Sequence, residues 1–115
     1  MNIVVVQGVL SRAPESRQLP SGDRLGSFEV TVRTVDKPTE SVPVVWFDPP
    51  DRALRLAAGA EVVVVGRIRR RFFRTAVGTG SRTEVVASDV VPASQRKRVE
   101  KAVGGARAAL DEPTP

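Results

Sequence analysis

The sequence predicts an all-β barrel, and three observations carry that prediction. Five short segments rich in β-branched and aromatic residues recur through residue 91, with turn chemistry between them. One segment with helical spacing lies between the third and the fourth. Within the segments apolar residues either alternate or run together, as half-buried and fully buried strands do. Three strands, a short helix and two further strands make the order of an OB-fold, a five-stranded Greek-key barrel.

The first strand is Asn2 to Leu10, where Gly8 marks a bulge, a bend or a close backbone approach. Ser11 to Asp23 carries turn residues, with Pro20-Ser21-Gly22-Asp23 a tight turn. In residues 25–35, Phe28, Val30 and Val32 share one face, and Glu29, Thr31 and Arg33 the other. Asp36 to Ser41 is a short polar connection. Val42 to Phe47 is the third strand, stopped by Asp48-Pro49-Pro50. The helix runs from Asp51, which can cap it, through Leu54 and Ala57-Ala58 to Gly59. The fourth strand covers residues 61–73. A loop with two glycines, Arg74 to Ser81, leads into the fifth, Arg82 to Val91.

Pro92 closes the barrel domain, residues 1–92, and the composition then shifts. Residues 93–115 form a basic tail with five basic and three acidic residues, flexible or partly helical. Val99, Ala102 and Val103 give it a thin apolar side, which Gly104-Gly105 interrupts. Asp111 to Pro115 is a frayed end.

Composition excludes several chemistries. With no cysteine there is no disulfide, thiolate metal site or cysteine nucleophile. With no histidine and no tyrosine, the commonest general base, the commonest metal ligand and a Ser-His-Asp arrangement are absent. Asp48, Asp51 and Glu84 have no catalytic spacing, so no catalytic residue, metal, cofactor or small-molecule substrate is expected. No apolar run is long enough to span a membrane, and the N-terminus lacks the pattern of a secretory signal. A cytoplasmic, nucleoid-associated location is the expectation. The net charge of +5 favours polyanions, although 15 of the 18 basic residues are arginine, a bias that a GC-rich genome alone produces.

Clustering is stronger evidence than net charge. Gly66 to Arg74 holds five arginines and two of the five aromatic residues, directly after Val62-Val63-Val64-Val65. On a continuing strand Arg67, Arg69, Arg71 and Phe73 share one face. Ile68 and Phe72 fall on the other and are expected in the core. Guanidinium groups pair with phosphates and rings stack on bases, so the first face suits a nucleic-acid strand. A merely solvated, arginine-rich edge strand is the competing reading. Arg74 at the end of the segment and Arg33 on the polar face of the second strand complete the basic candidates.

These motifs, in this order, resemble the bacterial single-stranded DNA-binding protein family over about residues 2–91. The likeness rests on Asn2 with its alternating aliphatics, Gly8 and Leu10, then Pro14-Glu15-x-Arg17 and Pro20-Ser21-Gly22. Phe28-x-Val30-x-Val32, Val44-Val45-Trp46-Phe47, Gly66-Arg67-Ile68-Arg69-x-Arg71-x-Phe73 and Thr83 to Ala87 follow. The resemblance implies sequence-tolerant binding of single-stranded DNA in replication, recombination and repair. It also implies a homo-oligomer, a tetramer in preference to a dimer, with pairing at the N-terminal strand. Phe73 matches a stacking aromatic, and Arg69 and Arg71 match strand-contacting basic positions. Either Trp46 or Phe47 matches a second stacking position; alternation lets only one face the groove, and Phe47 is favoured.

There are departures from the family pattern. The connection Asp36–Ser41 is short and carries no aromatic, and no ring stands near Ser41. The sequence ends Asp111-Glu112-Pro113-Thr114-Pro115 where the family has an acidic, phenylalanine-ended tip. A short, divergent paralogue with weaker binding is implied. An OB-type interaction subunit, similar to a primosomal partner with weak DNA or RNA binding, is the alternative.

Overall fold

β-branched runs set the frame. The computed structural model describes residues 1–111. In it β1 (Val4–Leu10), β2 (Glu15–Gln18), β3 (Arg24–Val32), β4 (Glu40–Phe47), β5 (Glu61–Thr75) and β6 (Gly78–Pro92) form one sheet. The order is β1-β5-β6-β4-β3-β2, and β1 also pairs with β3, so the sheet closes. Neighbours are antiparallel except β4 and β6, which run parallel. α1 (Asp51–Leu54) lies between β4 and β5, and α2 (Arg96–Leu110) follows β6. The closed ring is β1, β3, β4, β5 and β6, with α1 between its third and fourth strands. That is the OB-fold the sequence predicts.

β2 is an addition. Residues Glu15 to Gln18 pair with Ser27 to Arg24 where only turn chemistry was expected. All four side chains are exposed, so no apolar alternation marked the strand. Gly8 stands where β1 passes from β5 to β3. A Cβ there would sit 2.5 Å from the Thr31 carbonyl oxygen, so this glycine serves a close backbone approach.

α1 is a single turn, shorter than expected. Asp51 is its first residue, and Pro50 occupies the N-cap position without a side-chain bond. The Asp51 carboxylate instead accepts from Arg24 at 2.8 Å, which holds its carboxyl below the ordinary value. The core below is packed from Leu10, Phe28, Val30, Val44, Trp46, Val62 and Val64.

β5 and β6 are each 15 residues long and pair out to Thr75 and Gly78, across a two-residue turn. The expected loop at 74–81 is therefore mostly strand. β1 accompanies β5 only as far as Gly66, and β4 meets β6 only at Val85 and Val86. Beyond those points the hairpin stands out as an arm. This overturns the assignment of Ile68 and Phe72 to the core: they are 48% and 68% exposed. They do share a face with core residues, but the barrel ends before it reaches them.

α2 runs continuously through Gly104-Gly105. It packs against β5 and β6 through a half-buried side that includes Val99, Ala102, Ala106 and Ala109. That packing offsets the roughly 1 kcal/mol each glycine costs a helix relative to alanine. Residues 112–115, most of the expected frayed end, lie outside the described residues. Among the described residues no helix is long and apolar enough to cross a membrane.

Candidate nucleic-acid interface

Cross-strand register builds the site. Arg67, Arg69, Arg71 and Phe73 of β5 stand opposite Val86, Glu84, Arg82 and Gly80 of β6, and directly opposed residues share a face. The same surface continues over Val45 and Phe47 of β4, Leu25 and Ser27 of β3, and Glu15 and Arg17 of β2. With Arg12, Glu29, Arg69, Arg71, Arg82 and Glu84, these residues of β2, β3 and β4 line a groove of about 330 Å³, and Phe73 stands beside it against Arg71. Arg67 belongs to the face but lies past the groove's end.

Glu84 lines the groove with its side chain 2% exposed. Arg69 donates from Nη2 to Oε2 at 3.1 Å, and Arg71 donates from Nε to Oε1 at 2.9 Å. Burial pushes the Glu84 carboxyl up. The hydrogen bonds from Arg71 and Arg69, with their charges, outweigh it and hold the carboxyl below its ordinary value. Glu84 is therefore ionised at neutral pH, and the trio carries one net positive charge.

Each of these arginines also lies on a ring. The Arg69 guanidinium is 5.5 Å from the Phe47 centroid, and that of Arg71 is 5.4 Å from the Phe73 centroid. Phe47 remains 41% and Phe73 38% exposed, so each ring keeps open surface. Gly80 makes room for Phe73, since a Cβ there would come within 2.7 Å of the ring. The result is two arginine–phenylalanine pairs fixed on either side of a buried carboxylate. A guanidinium has five N–H donors, so donors remain for a phosphate after Glu84 is satisfied.

The structure thus brings Phe47, Arg69, Arg71 and Phe73 together. It does not bring in the other candidates. Trp46, 9% exposed, packs in the core 6.4 Å from the Phe28 ring, so of the two neighbours Phe47 faces the groove and Trp46 does not. Arg33 lines a separate hollow with Gln7, Thr31 and Glu61 on another side of the barrel. Arg74 lies on the opposite face of the arm, across from Thr79.

Arg12, Arg17, Arg82 and Glu84, charged residues with no role assigned from the sequence, also line the groove. Arg12 pairs with Glu29 at 3.5 Å. Arg82 stands directly across from Arg71, an unfavourable like-charge opposition that a bound anion would relieve. A carboxylate inside the apolar run of β6 was the available signal for Glu84, but its meaning needed the hairpin register. Among the described residues no cluster of three or more carboxylates offers a metal site.

A groove of this composition, on an OB-fold, suits an extended polyanion with flat groups to stack. A comparison with curated proteins finds no match. Residues 1–93, the whole of the barrel, match the Single-strand binding protein family. On that match the chain belongs to the single-strand binding protein family.

Proposed function

We propose that the chain binds single-stranded DNA without regard to sequence, catalyses no reaction, and protects exposed strands in replication, recombination or repair. The observation that carries this reading is the pair of arginine–phenylalanine units around Glu84. Guanidinium groups neutralise the phosphate backbone, and Phe47 and Phe73 stack on whichever bases lie beside them. Neither contact reads base edges, which accounts for tolerance of sequence. The site residues on this reading are Arg69, Arg71, Phe47 and Phe73, with Arg12, Arg17 and Arg82 along the path.

A homo-oligomer, tetramer in preference to dimer, fits the open edge of β1. Val4 to Gly8 pair with β5 on one side and have no strand on the other among the described residues. Val5 is 48% exposed along that edge. Such an edge is a template for pairing with a second copy. A nucleoid-associated, cytoplasmic location follows from the DNA-binding role.

One observation favours the second reading, a protein-interaction subunit with weak DNA or RNA binding. Ile68, Phe72 and Val77 leave apolar surface on the arm, Val77 being 97% exposed. Filter binding with matched single-stranded and duplex DNA separates the two. The single-strand reading requires a large preference for the unpaired strand, because duplex bases are not free to stack. Equal or negligible retention of both would favour the interaction subunit.

A further inference from the structure

α2 begins beyond the matched region, and its placement creates a second basic site. Between α2 and the sheet runs a cleft of about 630 Å³. Its walls carry Arg52 of α1, Arg67 of β5, and Arg98 and Lys101 of α2, against one carboxylate, Asp89. Asp89 lies 3.8 Å from Arg52. Among the described residues Arg67, Arg98 and Lys101 have no carboxylate within salt-bridge distance. Arg98 donates a hydrogen bond to Gln95, which leaves its charge unneutralised.

Two features point to a ligand that continues from the groove. Arg67 stands on the same strand face as Arg69 and Arg71, at the two-residue spacing of about 6.6 Å, so the groove and the cleft share one arginine row. The helix also presents small residues to the cleft, including Gly105. A Cβ on Gly105 would meet nothing within 4 Å, so close packing does not require glycine there. The space it leaves opens into the cleft, at a cost in helix propensity of about 1 kcal/mol.

We propose that this cleft is a second phosphate-binding site, in which Arg67, Arg98 and Lys101 take the backbone of the single strand as it leaves the groove. The inference rests on the single-strand reading and adds α2 to the binding path. Asp89 stays paired with Arg52 and keeps the strand on the Arg67 side.

The test uses the full chain and two lengths of oligo-dT, about 6 and about 25 nucleotides, spanning the range one OB-fold covers and exceeding it. Arg98→Ala/Lys101→Ala removes two cleft cations, and Arg96→Ala/Lys97→Ala removes the same charge from helix positions that do not line the cleft. The expected result is a log–log salt slope for the long oligomer that is shallower by about 1.4 in the first variant alone. The short oligomer binds all three proteins equally. Gly105→Leu, which fills the cleft without changing charge, should weaken the long oligomer alone and leave the melting temperature no lower. Equal slope losses in both double variants, or none in either, would overturn the second site. If the wild type binds neither oligomer, the single-strand reading falls with it. If binding survives, needs Phe47 and Phe73, and ignores all cleft variants, only this inference fails.

Discussion

Val62–Val65 and Arg67–Thr75 belong to one strand and share one partner, β6, yet they meet opposite environments. The four valines are at most 6% exposed, while Phe72 farther along is 68% exposed. Both halves are paired, because the β5–β6 ladder runs to the turn, with one register shift between Val65 and Gly66. What differs is the surroundings. β1 flanks the first half only, its last pair being Val4 with Gly66, and of the second half only Arg67 lines the cleft beneath α2. A strand is buried by its layers, and an arm without layers keeps both faces for contacts.

Charges placed in each half test this contrast most severely. Val64→Asp puts an unpaired carboxylate at a position 0% exposed and should cost about 4 kcal/mol or more, a large share of a domain's stability. Phe72→Asp should stay within about 0.5 kcal/mol. Urea melts read both, and similar losses would mean the arm is packed like the barrel.

The two faces of the arm give the next effect. Phe73→Ala and Phe47→Ala should each weaken oligo-dT binding by about 1–3 kcal/mol, or roughly 5- to 150-fold. Phe72→Ala, one residue away on the other face, should leave it unchanged. Fluorescence anisotropy with labelled oligo-dT decides, and a loss at Phe72 matching that at Phe73 would erase the distinction between faces.

Glu84→Gln sharpens the comparison inside the groove. Removing the carboxylate should steepen the salt slope by up to about 0.7, as one more cation becomes free for phosphate. It should also lower stability, because two hydrogen bonds to a charged acceptor are weakened. The Glu84 carboxyl is held below its ordinary value of 4.5. Its stabilisation is therefore complete above that value and lost as pH falls through the depressed one. The melting-temperature gap between wild type and Glu84→Gln should close in acid; a gap that persists there would show that the carboxylate's charge is not what stabilises.

Trp46 gives the smallest signal and a clean one. Buried beside Phe28, it should not be quenched by saturating oligo-dT. Strong quenching would place it in the groove after all.

The barrel was legible because its signals are local: valine runs, alternation about Phe28 and Val30, turn residues at the breaks. The arm was not. Ile68 and Phe72 alternate with the arginines as core residues would, and nothing in that pattern says where β1 stops. β2 was hidden for the opposite reason, since four exposed polar residues carry no strand signature. The groove was half legible. Arg69, Arg71, Phe73 and Phe47 follow from alternation and motif, whereas Glu84, Arg82 and Arg12 reach the site through register between distant segments. Arg33 looked equivalent to the other arginines, but it lies past the end of β3, beside Gln7, Thr31 and Glu61 and away from the groove.

The central claim is that this groove holds a single strand by arginine–phosphate contacts and stacking. The salt dependence of the wild type's affinity for a short oligo-dT tests it most directly. Five arginines face three glutamates in the groove. The log–log slope should fall between about −1.4, for the two net charges, and about −3.5, if phosphates engage all five. A slope near zero would contradict the account.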